Sequence, residues 1–213
     1  MKSASALKIV IGIFAAIKVL FLLSCCMQLI LVARAPFSMA EAQTNDLRQR
    51  LCALLSLAWF VLFLVVYLIW LFQAKRRSIE LGASNVEYTP GLAVGCHFIP
   101  IANLFMPYKA MAELWKASLN PADWQSQRVT PGVAAWWTPW IFGTLVGWLV
   151  VAEKGGHGID HLRRVTIELI VSALFTILSI GALYWLVSKI SSRLPPLQTP
   201  AVERVPNNDW ADY

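Results

Sequence analysis

LCALLSLAWFVLFLVVYLIWLF, residues 51–72, contains no charged side chain. The run is longer than the roughly 18 apolar residues that separate a membrane span from a buried core helix. As a helix it rises about 1.5 Å per residue, or about 33 Å in all, enough to cross a hydrocarbon core of about 30 Å. Trp70 reads as an interfacial anchor, and Lys75, Arg76 and Arg77 follow as a basic flank. The reading that decides the fold is therefore a lipid-embedded helix, and the rest of the chain is organised around it.

Upstream, residues 34–50 read as a polar loop carrying Arg34, Glu41, Asp46, Arg48 and Arg50, preceded by a first span over about residues 7–32. Lys2 and Lys8 before that span resemble the basic region of a secretory signal. Ala33-Arg34-Ala35 has a small-x-small form, but Pro36 would follow the cut. Leu22-Leu23-Ser24-Cys25 resembles a lipoprotein box, but the chain stays apolar beyond it. An uncleaved first helix is expected. Downstream, apolar spans are expected over about 133–151, with Trp136, Trp137, Trp140 and Trp148 towards its ends, and over about 165–187. Between them lies the polar loop AEKGGHGIDHLRR, and residues 191–213 read as a Pro-rich, disordered tail. Gly82 is placed to cap an extension of the helix beyond the basic cluster.

Composition supports a membrane domain over residues 1–190. Of 213 residues, 58% are hydrophobic and 14% charged, against roughly a quarter charged in a soluble domain. Mean hydropathy is +0.59. The net charge of +6 sits in clusters beside the spans, which fits the positive-inside pattern and argues against a nucleic-acid partner. Cys25, Cys26, Cys52 and Cys96 lie in apolar stretches without disulfide or zinc spacing and read as packing residues.

The ambiguous stretch is GLAVGCHFIPIANLFMP, residues 91–107. A straight helix of that length covers roughly 25 Å, slightly less than the hydrocarbon core. Pro100 removes a backbone donor and disfavours helical geometry at Ile99. We read a broken or re-entrant segment, with a short fifth span as the alternative. Beyond it, Tyr108, Met111, Trp115 and Leu119 recur at helical spacing opposite Lys109, Glu113, Lys116 and Asn120, which predicts an amphipathic helix in the interface plane. If residues 91–107 do not cross, eleven Lys and Arg fall on the inner side and six outside; if they cross, eight fall inside and nine outside. The bias favours four spans with both termini cytoplasmic. The expected fold is an all-α polytopic bundle: four transmembrane helices plus a Pro-broken segment leading into the amphipathic helix.

From residue 63 to 121 the chain resembles the core of a bacterial membrane-protein family known only as domain of unknown function 4328. The resemblance rests on Trp70 with its basic cluster, Leu81-Gly82, Pro90-Gly91 and Phe98-Ile99-Pro100. Asn103-Leu104, Pro107-Tyr108, Trp115 and the adjacent Trp136 and Trp137 complete it. It covers roughly residues 50–190, and His97 departs from the pattern, where a large aromatic is expected. The resemblance implies family membership and a fold, and the expected location is the cell membrane, which is the bacterial inner membrane in a Gram-negative cell. It brings no activity, because the family has none established.

Several residues are weighed as functional. Pro100, Asn103 and Pro107 break a helix, and such breaks at membrane depth face protein or a water-filled cavity. The plain reading is a kink turning the chain towards the interface, with the Asn103 amide satisfying a freed backbone group. Lys18 lies near mid-span, where an ionisable group pairs, faces water or snorkels. His97, Asn103 and Glu113 are its candidate partners, and Tyr108 completes the set. His157, Asp160 and His161 suggest a metal, but the surrounding glycines favour a solvated loop. Glu168 reads as a carboxylate at a helix N-terminus. Nucleophile elbows, phosphate loops and HExxH pairs are absent. We therefore expect no catalytic residues, cofactor or metal. The leading expectation is a non-enzymatic membrane component acting through lipid, another membrane protein or a second copy of itself. The alternative is a small transporter or channel whose polar pathway is lined by Lys18 and the Pro100 break.

Overall fold

A computed structural model describes residues 2–34, 36–152 and 158–194. Among these residues the chain is all α-helical, with four helices long and apolar enough to cross a membrane. They are α1 (Lys2–Ala33), α2 (Met39–Glu80), α5 (Pro131–Ala152) and α6 (Ile159–Arg193). Between α2 and α5 lie the short α3 (Pro90–Gly95), two 3-10 turns at Cys96–Phe98 and Ala102–Leu104, and α4 (Met106–Leu119). The chain is an integral membrane protein, and its outward apolar surface is in contact with lipid. Ile9, Leu20, Leu57, Leu145, Trp148 and Leu178 are among the large side chains left exposed on the four long helices.

The helices outrun the spans expected from hydropathy. Residues 39–50, expected as loop, form the start of α2. Ser38 caps it, its hydroxyl accepting from the Glu41 N–H while the Glu41 carboxylate accepts from the Ser38 N–H. This reciprocal cap satisfies two donors that a helix start otherwise leaves open. At its other end α2 runs through the basic cluster and closes at Gly82 (φ +110), with Ala83 N–H reaching back to the Ser78 carbonyl. That left-handed position suits glycine and bears out the expected cap. The 42 residues of α2 rise about 63 Å, roughly twice the hydrocarbon core. Likewise, residues 159–164 of the expected polar loop and residues 191–193 of the expected tail belong to α6. The remaining tail, 195–213, lies outside the described residues.

Residues 91–107 do not form a straight span. Thr89 caps α3 and Pro90 opens it. The helix then tightens into a 3-10 turn, and Ile99 becomes extended (φ −98°, ψ 115°) as the residue before a proline requires. The Asn103 backbone N–H closes the turn over Pro100 by donating to the Ile99 carbonyl at 2.7 Å. The connections on either side of the break meet, because the Trp124 indole N–H donates to the Ser84 carbonyl at 2.8 Å. The chain therefore leaves and re-enters the bundle at one end. The start of α1 and the end of α6 share that end, through Ser3 to Gln73 (2.6 Å) and Trp70 to Ser191 (3.0 Å).

Packing inside the bundle follows the rule that membrane helices associate through small residues and close van der Waals contact rather than hydrophobic drive. Gly143 and Gly147 of α5 face α6. A methyl added at Gly143 would lie 3.2 Å from Phe175 Cβ and 3.3 Å from the Ser172 carbonyl. Ser172 and Ser179 tie the same pair by donating to the Gly143 and Trp136 carbonyls, each at 2.8 Å. Trp70 is wholly buried, so it acts as a core residue where an interfacial anchor was expected. The Tyr108–Met111–Trp115 side of α4 does face inward, but α4 is enclosed around most of its circumference, and Leu119 is exposed. Trp115 stacks on Trp185 at 5.3 Å and carries the Arg193 guanidinium on its ring at 4.4 Å.

Candidate functional site

Four aromatic residues of α2, Phe60, Phe63, Tyr67 and Trp70, repeat at three- and four-residue intervals and so line one face of the helix. Phe63 and Tyr67 stack at 6.0 Å, Tyr67 and Trp70 meet at 6.3 Å, and Phe14 of α1 stacks on Phe63 at 5.3 Å. Opposite stand Trp136, Trp137 and Trp140 at the start of α5, with Phe60 stacked on Trp140 at 5.8 Å. These tryptophans are walls of the interior; the sequence pattern suggested span-end anchors.

The broken segment closes the space between these two walls. Trp137 holds it there by donating its indole N–H to the Leu104 carbonyl at 3.1 Å. The result is a cavity of about 170 Å³ lined by rings, by His97 and Asn103 from the break, and by Ser179, Ile180 and Leu183 of α6. His97 packs edge-on against Tyr67, ring centres 5.5 Å apart. Its Nδ1 lies 3.0 Å from the Ala93 carbonyl. A carbonyl only accepts, so Nδ1 carries the proton and the neutral ring offers Nε2 as an acceptor. Burial holds the imidazole below its ordinary value, which keeps it neutral. Among the described residues, two buried polar atoms in this lining have no hydrogen-bond partner, Tyr67 Oη and His97 Nε2. Most buried polar atoms in proteins are satisfied, so a pair of orphans in one cavity wall calls for a guest or water.

Of the residues weighed from sequence, the structure brings His97 and Asn103 together and leaves the others elsewhere. Pro100 is exposed in the turn, Pro107 is buried in the first turn of α4, and Tyr108 packs partly buried against the core. Lys18 joins neither His97, Asn103 nor Glu113. It lines a separate groove with Gly143, Gly147, Ser172 and Thr176, its ammonium 5.4 Å from the Phe14 ring and 5.6 Å from the Phe21 ring. Phe60 and Trp140 line both the groove and the cavity, so the stacked pair stands between them.

Glu113 is not on a solvated helix face. It is buried and paired with Lys75, itself fully buried. The same carboxylate accepts from the backbone N–H groups of Glu87 (2.8 Å) and Tyr88 (3.2 Å). Lys75, expected as a membrane-flanking charge, is instead the partner that fixes α4 to α2. Burial, with the Glu87 carboxylate adding to it, holds the Tyr88 phenol above its ordinary value. Glu168 lies in the third turn of α6, too far from the helix start for the dipole role expected of it. Its Oε2 is buried without a hydrogen-bond partner among the described residues. Of the suspected metal ligands, His157 lies outside the described residues, and Asp160 is 3.8 Å from Arg163. No group of three metal-ligating side chains assembles among the described residues.

Neither Tyr67 nor the tryptophan wall was legible as a site in sequence. The one signal was the spacing of aromatics on α2, which reads equally as core. Comparison with known proteins bears on the whole domain. No curated protein and no solved structure matches the chain. The model of the family described as Domain of unknown function (DUF4328) matches residues 33–192, wider at the N-terminal side than the resemblance first suggested. With that match running from the last residue of α1 through nearly all of α6, the chain belongs to the family Domain of unknown function (DUF4328).

Proposed function

We propose that this protein is a non-enzymatic component of the bacterial cell membrane that acts by holding a small apolar or lipid-derived molecule in the aromatic cavity behind the Pro100 break. Its termini face the cytoplasm in this reading, supported by the excess of Lys and Arg on that side. The observation that carries the proposal is the cavity itself. An engineered apolar cavity of about 150 Å³ binds benzene, and this one has a similar volume with two unsatisfied polar atoms in its wall. The test is purification in mild detergent, extraction and mass spectrometry of what remains bound, repeated on Leu183→Trp, which fills the cavity. A small molecule retained by the wild type and lost from the variant supports the reading. Repeated recovery of an empty wild-type protein would refute it.

A transporter or channel is the second reading, and one observation favours it: the Lys18 groove adjoins the cavity at Phe60 and Trp140. Rotation of that ring pair would join the two into one path. Flux of the retained molecule in proteoliposomes, increased by Phe60→Ala, would separate transport from simple binding.

A further inference from the structure

We propose that the cavity selects an uncharged, ring-sized molecule bearing one O–H or N–H group, of the phenol or indole type, which donates to His97 Nε2 and accepts from Tyr67 Oη. This deepens, and rests on, the reading of the cavity as a guest site.

Shape and polarity together lead there. The cavity's volume of about 170 Å³ exceeds only modestly the roughly 150 Å³ that admits benzene. Its walls are Phe60, Phe63, Tyr67, Trp136, Trp137 and Trp140, faces and edges that favour offset or edge-on contact with another ring. Among the described residues, no acidic or basic side chain other than His97 lines it, and an ion entering it would lose its hydration without a counter-charge. An anion is disfavoured further by the lone pair at His97 Nε2, because Nδ1 already spends its proton on the Ala93 carbonyl. What remains unsatisfied is one acceptor and one hydroxyl. A hydroxyl or ring N–H on the guest supplies the missing donor, and Tyr67 Oη donates to the guest's oxygen or π-face. A purely hydrocarbon guest would leave both atoms unpaired.

The experiment uses the full chain in lipid nanodiscs and fluorine NMR of 4-fluorophenol and 4-fluorotoluene, each corrected by protein-free nanodiscs for partition into lipid. The two probes share a ring and differ in the donor. The wild type should hold 4-fluorophenol about tenfold tighter than 4-fluorotoluene, the worth of one net hydrogen bond near the upper end of its usual range. His97→Phe and Tyr67→Phe should each erase most of that preference while keeping 4-fluorotoluene. His97→Gln, a smaller change whose amide offers an acceptor, should keep part of it and serves if His97→Phe does not stay monodisperse. Equal binding of the two probes by the wild type overturns this inference and leaves the guest site standing. Binding of neither probe overturns both.

Discussion

Replacing Glu113 with alanine should be among the most damaging single changes in the polar interior of this protein. The substitution strands the Lys75 ammonium, which is fully buried, and removes the acceptor for two backbone N–H groups, those of Glu87 and Tyr88. Breaking a buried ion pair from one side costs about 3–5 kcal/mol, because the remaining charge has lost its water and its partner. Pairing itself contributes less, since an apolar replacement of both members is often near neutral. The double variant Lys75→Met/Glu113→Gln keeps an amide oxygen for the two N–H groups and removes the buried charge. It should therefore fall within about 1.5 kcal/mol of wild type. Unfolding in mixed micelles, followed by near-ultraviolet circular dichroism of the packed tryptophans, measures both. The effect should not weaken in high salt, unlike that of the exposed Arg76–Glu80 pair. A loss below about 1 kcal/mol in Glu113→Ala, or a double variant as unstable as the single, would refute the view that this pair anchors α4.

Three further outcomes follow from the packing. Gly132→Ala places a methyl 2.5 Å from the Trp185 ring and should cost about 1–3 kcal/mol in the same assay, whereas Gly181→Ala, with open space around it, should be near neutral. Trp137→Phe removes the indole hydrogen bond to the Leu104 carbonyl. It should loosen the break by about 1 kcal/mol, seen as faster amide exchange over residues 99–105 with α5 unaffected. Single cysteines at Ser84 and Gln125, in a background with the four native cysteines replaced by alanine, should label from the same side of the membrane, because the Trp124–Ser84 contact joins those connections. Labelling from opposite sides would mean that residues 91–107 cross.

The break was legible because proline acts through its neighbours in sequence. Pro100 removes its own N–H and forces Ile99 to be extended, whatever packs around them. The same locality made the Gly82 cap readable. Glu113 was misread for the opposite reason. Helical periodicity places it with Lys109 and Lys116, yet its partner is 38 positions away on another helix, a separation that no local pattern encodes. The lead-in to α2 was missed because hydropathy reports where lipid lies, while helix continuity is decided by caps such as Ser38–Glu41.

By itself the sequence determined that lipid is the main solvent, that four helices are long enough to cross it, and that the chain breaks at Pro100. Apolar length and proline geometry are properties of contiguous residues. The tertiary structure alone decided that His97 and Asn103 share a cavity with Tyr67 and the α5 tryptophans, that Lys18 lies apart from them behind the Phe60–Trp140 stack, and that Lys75 finds Glu113. Those relations depend on which helix faces are brought together, and a face acquires its chemistry only from the helix packed against it.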